Sequence, residues 1–572
     1  MTRPSRDTGD SAPAAVDEGA SVDDIPASVS TGLTEAQLEA VTAPERVVCV
    51  LAGAGTGKTR VLTLRVARRV HDGSASGNRI LVCTFSRKAA DELRRRLWAL
   101  DVGGEVRAGT IHRTALHILR QHRLDRALSP PRLLIDRRAT LASLLGTGTA
   151  ATGGRTSSGG VGRSRASHTS GARRSGAAQL ETEIGWAKAR MLAPDEYEGA
   201  ARAGRRRTAL GAARVAELYG RYEATRRRQG LIDLDDLLWS CAELLEEDSG
   251  RMAAVRWQFR HLFVDEMQDV NPAQYRLLRA IGGDEPDLFV VGDPYQSVYG
   301  WNGADPTLLD QLPIRYPGAR VVRLDENHRS SPQVVAVAAA ALGVSGAAAP
   351  RSTRPDGPVP RLVELETDGD EATWVARQAW FAHRPGRRWS QIAVLARTNA
   401  QLASVADALA GARVPFRLAG GDVGPGSDVR SPTADDQQDE QVDRSRPVGD
   451  DEDGVVLTTF HRAKGLQWSA VFVIGLADGL VPLGSARSAV ARDEERRLLY
   501  VALTRAEEEV MCSWAAFGDS RDGGGAPRRP SPWLADMHRA RAVLEAAAAP
   551  PDPSLAASHL AAIRARLDGP RS

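Results

Sequence analysis

The stretch LAGAGTGKTRVL, residues 51–62, decides the fold. It follows the short apolar run VVCV and leads into helix-like sequence, the strand–loop–helix setting of a phosphate-binding loop. Gly53, Gly55 and Gly57 allow backbone N–H groups to approach phosphate, while Ala52, Ala54 and Thr56 complete the loop. Ala52 stands where the strict pattern has its first glycine. Lys58 is placed to reach β- and γ-phosphates and Thr59 to bind Mg²⁺. The helix that follows turns its positive end toward the same anion.

Outward from the loop, β-branched apolar runs alternate with helix-like sequence. VVCVL (47–51), RILVCTF (79–85), HLFVDE (261–266) and LFVVGD (288–293) form one series. ARVVRL (319–324), QIAVLART (391–398), GVVLTTF (454–460), SAVFVIGL (469–476) and EEVMCSWA (508–515) form another. That alternation predicts an α/β fold of two tandem lobes with parallel sheets, residues 31–317 and 318–535. A helical insertion at about 114–255 interrupts the first lobe, with a flexible low-complexity loop at 146–178 inside it. A Gly/Pro-rich, then acidic, linker at 420–453 interrupts the second. Residues 1–30 read as a disordered tail and 536–572 as a helical one, without a nuclease-type carboxylate cluster or zinc spacing.

Bulk properties exclude several classes. The chain has 572 residues, 42% of them hydrophobic, and a formal charge of +3, so contact with nucleic acid must come from local basic patches. Cys49, Cys83, Cys241 and Cys512 are scattered, with no metal or disulfide spacing, which fits a reducing cytoplasm. No signal peptide or membrane-spanning run is apparent. Only four of the 75 basic residues are lysine. Lys58, Lys88 and Lys464 fall in motifs where a compact ammonium can be required; Lys188 has no motif around it, and its retention reads as chance.

VDEMQD (264–269) supplies the second half of a nucleotide site. Asp265 ends a buried strand and can hold Mg²⁺, and Glu266 can orient or deprotonate an attacking water. Phosphoryl transfer also needs cations at the γ-phosphate. Arg329 in ENHRSS and Arg505 in EERRLLYVALTRA are candidates from a second lobe that has no phosphate loop of its own.

These motifs, with LTEAQLEAV (33–41), TFSRKAADEL (84–93), GTIH (109–112), VVGDPYQSVYGWNGA (290–304), ARTNAQ (396–401) and TTFHRAKGLQW (458–468), occur in the order found in one family. Over roughly residues 31–535 the chain resembles the UvrD/Rep/PcrA-type superfamily 1 DNA helicases. The resemblance implies two RecA-like lobes, 1A and 2A, with ATP between them and helical insertions 1B and 2B. It implies that Gln37 reads the adenine edge with Arg60 flanking the base, and that Gln296 senses the γ-phosphate. Arg329 and Arg505 match its paired arginine fingers. Phe85 and Trp301 match its stacking aromatics, with Tyr299 close by; Thr84, His112, Asn399 and His461 match backbone-contacting positions.

Departures from the family pattern touch function. His328 replaces an adenine-stacking Tyr or Phe, Gln467 a ribose-contacting Glu, and Asn302 an Arg after the stacking Trp. The acidic linker stands where relatives carry 2B, so 2B is expected to be missing or vestigial. The expected function is an ATP- and Mg²⁺-dependent 3′-to-5′ translocase and helicase acting on single-stranded DNA and single-strand/duplex junctions. A repair or replication protein is the expected partner, the oligomeric state is open with a monomer favoured, and no membrane is expected. The alternatives are a non-motor, ATP-switched DNA-binding subunit of a repair complex and an ATPase unrelated to DNA.

Overall fold

The protein is described here from a computed structural model covering residues 32–134, 136–146, 163–206, 208–345, 349–419, 453–518 and 525–548. The tail at 1–30, most of the linker at 420–453 and the chain from 549 on lie outside those residues.

Two six-stranded sheets, parallel throughout, form the two lobes. The first contains β1 (Val47–Ala52), β2 (Ile80–Thr84), β3 (Arg107–Thr110), β4 (His261–Val264), β5 (Asp287–Gly292) and β6 (Arg320–Leu324), in the order β3-β2-β4-β5-β1-β6. Its central strands are apolar runs because helices cover both faces. One apolar layer joins β1 to the helices Glu35–Thr42, Lys58–His71 and Arg87–Ala99. The other joins it to Ile111–Asp125, Leu234–Glu247 and Pro272–Gly282.

A short parallel pair, β7 (Glu326–Asn327) and β8 (Arg351–Ser352), leads to the second lobe. There β9 (Arg361–Thr367), β10 (Ile392–Ala396), β11 (Phe416–Leu418), β12 (Val455–Thr459), β13 (Trp468–Val473) and β14 (Ala506–Phe517) lie in the order β11-β12-β10-β13-β14-β9. No helix among the described residues is long and apolar enough to cross a membrane.

Four boundaries differ from the sequence reading. The strand at 319–324, which the sequence places in the second series, is β6; it pairs with β1 and extends the first sheet past residue 317. An edge strand carries half the apolar signal of a central one, and Arg320 and Arg323 are exposed here. The insertion is shorter than 114–255. Ile111–Asp125 and Leu234–Glu247 pack into the first lobe's core, whereas the insertion's own core runs from Leu134 to Tyr222. The helix Arg163–Ala189 covers the second half of the expected flexible loop at 146–178; residues 147–162 lie outside the described residues. Finally, the C-terminal helix Leu534–Ala548 starts inside the second lobe, with Trp533, Leu534 and Met537 in its core.

Lys188 corrects a further expectation. Its ammonium is buried in a cage of carboxylates, 2.7 Å from Glu223, 2.7 Å from Asp233 and 2.8 Å from Asp236. Tyr222 donates to the same Asp233 oxygen at 2.7 Å, and Arg226 pairs with Asp236 at 2.7 Å. The cage fastens the insertion to the first lobe, because Asp233 caps the helix Leu234–Glu247 while Lys188 ends Arg163–Ala189. Three converging carboxylates need a compact, strongly paired cation, so retention of lysine here has a physical cause.

Candidate nucleotide and nucleic-acid site

Strand order places the candidate residues side by side along one edge of the first sheet. The phosphate loop leaves the end of β1, Gln296 follows β5, Asp265 and Glu266 follow β4, and Thr84 and Phe85 end β2. His112 follows β3, half-buried at the start of its helix.

The loop from Gly53 to Gly57 turns back on itself through two left-handed glycines, Gly55 at φ 71° and Gly57 at φ 85°. A Cβ on Gly55 would lie 2.7 Å from Arg329 Cβ, so a side chain there would collide with the second lobe's contribution. Lys58 Nζ donates to the carbonyls of Ala52 at 3.0 Å and Gly53 at 2.9 Å, and lies 3.4 Å from Asp293. An arriving phosphate oxygen can take over those carbonyl contacts. Thr59 Oγ1 donates to Asp265 Oδ2 at 3.3 Å, bringing together two hard oxygens of the kind Mg²⁺ takes. Burial, and then the charge of Glu266, push the Asp265 carboxyl up to about 7. Glu266 has a left-handed backbone at φ 54°, a costly conformation of the kind found at functional sites. Burial works to raise its pKa, but Lys464 and Lys58 outweigh burial and hold it below the ordinary value. That favours the ionised form a general base needs.

The second lobe closes over the same loop. Asn327 donates to the carbonyl of Ala54 at 2.8 Å, and the His328 backbone N–H donates to that of Gly55 at 2.9 Å. Gln37 donates to the Thr56 carbonyl at 3.0 Å and sits 3.4 Å from His328 Nε2, so the two base-site candidates touch. Arg60 is exposed and donates to the Gly32 carbonyl at 3.0 Å. Gln467 is exposed next to Leu466, whose carbonyl accepts from Arg505 at 3.1 Å. Arg505 is buried and also donates to Gln296 Oε1 at 3.3 Å. Burial, and then the neighbouring Arg329, lower its pKa to about 9. Among the described residues neither guanidinium has a carboxylate ion-pair partner. Two cations without such a partner, one with its Cβ beside Gly55 and one bonded to Gln296, suit an anionic ligand.

Gln296 ties this pocket to an aromatic row. Its amide donates to Asp293 at 2.6 Å, and its carbonyl accepts from Lys464 at 2.9 Å. Lys464 is also ion-paired with Asp269, lies 3.9 Å from Glu266, and stands 5.1 Å from the centre of the Tyr299 ring. Burial opposes its charge, and Asp269 and Glu266 more than restore it, so its pKa is raised. Phe85 stacks on Tyr299 at 5.1 Å and 21°. Trp301 meets Tyr299 at 6.4 Å, and His461 of the second lobe meets Trp301 at 6.4 Å. All four rings are half-buried. Burial, Arg397 and Lys464 push His461 down to about 3, leaving a neutral ring. Thr84, at the end of β2, has a buried hydroxyl with no hydrogen-bond partner among the described residues. Asn399 opens the helix Asn399–Gly411 beside β10.

Four participants were not singled out from sequence. Asp293 joins Lys58 to Gln296, Asn327 and Tyr500 hold Ala54, and Asp269 receives Lys464. A carboxylate closing the buried run LFVVGD was a readable signal for Asp293; the others become visible only when the lobes meet.

The sequence matches the UvrD/REP helicase N-terminal domain over residues 33–317 and the UvrD-like helicase C-terminal domain over 322–422 and 439–516. It is 35% identical to ATP-dependent DNA helicase UvrD2 of Mycobacterium tuberculosis, in a match covering 88% of this chain and 81% of that protein. It is 31% identical to ATP-dependent DNA helicase PcrA of Leuconostoc citreum over 69% of this chain and 50% of that one. Among solved structures, the C-terminal domain of a possible DNA helicase from a Lactobacillus covers 37% of this chain at 18% identity and a TM-score of 0.24.

Proposed function

Because this chain belongs to the UvrD/REP helicase family, we propose that it is an ATP-dependent 3′-to-5′ single-stranded DNA translocase and helicase serving DNA repair or recombination. One observation carries the reading: an unbroken line of contacts from Lys58 through Asp293, Gln296 and Lys464 to Tyr299. A change at the γ-phosphate position therefore has a short mechanical route to the aromatic row.

In this proposal Lys58 and the loop N–H groups bind the triphosphate, Gln37 and His328 take the base, and Arg60 and Gln467 flank it. Thr59 and Asp265 would hold Mg²⁺, which would supply charge neutralisation for the triphosphate. Glu266 orients the attacking water, while Arg329 and Arg505 stabilise the charge that develops in the transition state. Gln296 senses the γ-phosphate. Phe85, Tyr299 and Trp301 stack bases, and Thr84, His112, Asn399 and His461 contact the backbone. Hydrolysis removes the partner of the two arginines, and an equilibrium between closed and open lobes then becomes directed stepping.

Turnover with and without oligo(dT) tests the reading, with Lys58→Ala and Glu266→Gln as inactive controls. Fast, strand-stimulated hydrolysis is expected. DNA binding without turnover would favour an ATP-switched subunit, and turnover indifferent to DNA would refute a DNA motor. Arrival kinetics on strands labelled at one end or the other measure polarity; arrival at the 3′ end would overturn the 3′-to-5′ assignment.

A further inference from the structure

The helix Ala489–Leu503 of the second lobe runs from the aromatic row to the phosphate loop. Residues 494, 497 and 500 are spaced by three, so their side chains form one stripe on it. Each meets the first lobe at a different station. The Glu494 carboxylate lies against the backbone of Gly300 in the turn that carries Trp301. Arg497 Nε donates to the Ser297 carbonyl at 2.9 Å. Tyr500 packs with Ala54 of the phosphate loop, its hydroxyl 4.0 Å from where a Cβ on Gly53 would lie. The fit at the first station is close: a Cβ on Gly300 would lie 2.9 Å from Glu494 Oε2. The other carboxylate oxygen, Oε1, is buried without a hydrogen-bond partner among the described residues.

Glu494 is thus more than a cap on the short turn Gly300–Asn302. A cap from the first lobe would fix the turn in every state. This one comes from the other lobe, on a helix whose far end is fixed to the nucleotide loop. Any rotation of that helix would move Glu494 relative to the turn carrying Trp301.

We propose that Glu494 is a positioning residue that sets the Trp301 platform according to the state of the phosphate loop, through the stripe Glu494–Arg497–Tyr500. This rests on the DNA-motor reading above. The effective element is a carboxyl oxygen seated against the backbone of the turn, so an amide oxygen at the same place preserves it.

Oligo(dT) affinity of the full chain, measured by fluorescence anisotropy with and without a non-hydrolysable ATP analogue, tests the proposal. The wild-type affinity is expected to differ between the two conditions by roughly 5–150-fold, the usual range for coupled sites. In Glu494→Ala that ratio falls to about one; in Glu494→Gln it stays within about threefold of wild type. Loss of fold stability alone would weaken both conditions together and leave the ratio unchanged. A wild-type ratio in Glu494→Ala would overturn the proposal, as would a collapse in Glu494→Gln equal to that in the alanine variant. A wild-type chain whose hold on DNA ignores the nucleotide would overturn the motor reading itself, and this inference with it.

Discussion

Lys464 and Lys188 show why lysine persists in a chain that otherwise uses arginine. Each is a point charge among several acceptors, a setting a planar fork does not suit. Lys464 bears on chemistry through Glu266. Burial alone would raise the Glu266 pKa, and Lys464 leads the cations that bring it down. Lys464→Met therefore raises that pKa, and the acid limb of the pH profile of strand-stimulated ATP turnover moves to higher pH. An unmoved limb would show that Glu266 is tuned elsewhere. Lys188→Met leaves three buried carboxylates short of a cation and should cost about 3–5 kcal/mol, read by chemical denaturation. Lys188→Arg should recover little of that loss. The motif residues were legible from sequence because phosphate chemistry constrains type and spacing together. Lys188 was not: its partners are 35 and more residues away, and only packing of the insertion brings them together.

Among the elements, the order of strands does the positioning. Nucleotide residues leave β1, β5 and β4, and DNA-side candidates of the first lobe leave β2, β3 and β5, so both lie on one continuous edge. Trp301, on the turn after β5, is exposed enough to present a stacking face. Trp301→Ala should weaken oligo(dT) binding by about 1–3 kcal/mol, measured by anisotropy; an unchanged affinity would return Trp301 to a packing role. The central strands were legible as apolar runs because both faces are covered. β6, β9 and β11 were misassigned or missed for the opposite reason: edge strands face solvent on one side, and their alternating pattern resembles loop sequence.

At the scale of the whole molecule, the two lobes share one pocket, and the second adds Asn327, Arg329, Tyr500 and Arg505 to a loop it does not own. The match to PcrA covers only half of that protein, and we propose that the linker at 420–453 replaces a duplex-contacting subdomain. Strand displacement on a 3′-tailed duplex by the isolated chain should accordingly be weak, and translocation on single strands should be intact. Robust unwinding by the monomer would contradict that expectation. The shared pocket is the central claim, and Arg505 tests it most directly. Oligo(dT)-stimulated ATP turnover of Arg505→Ala should fall by roughly 10³-fold or more in kcat, while nucleotide binding is retained. Turnover within about threefold of wild type would mean that the first lobe hydrolyses ATP alone, and the account of a motor closed by its second lobe would fail.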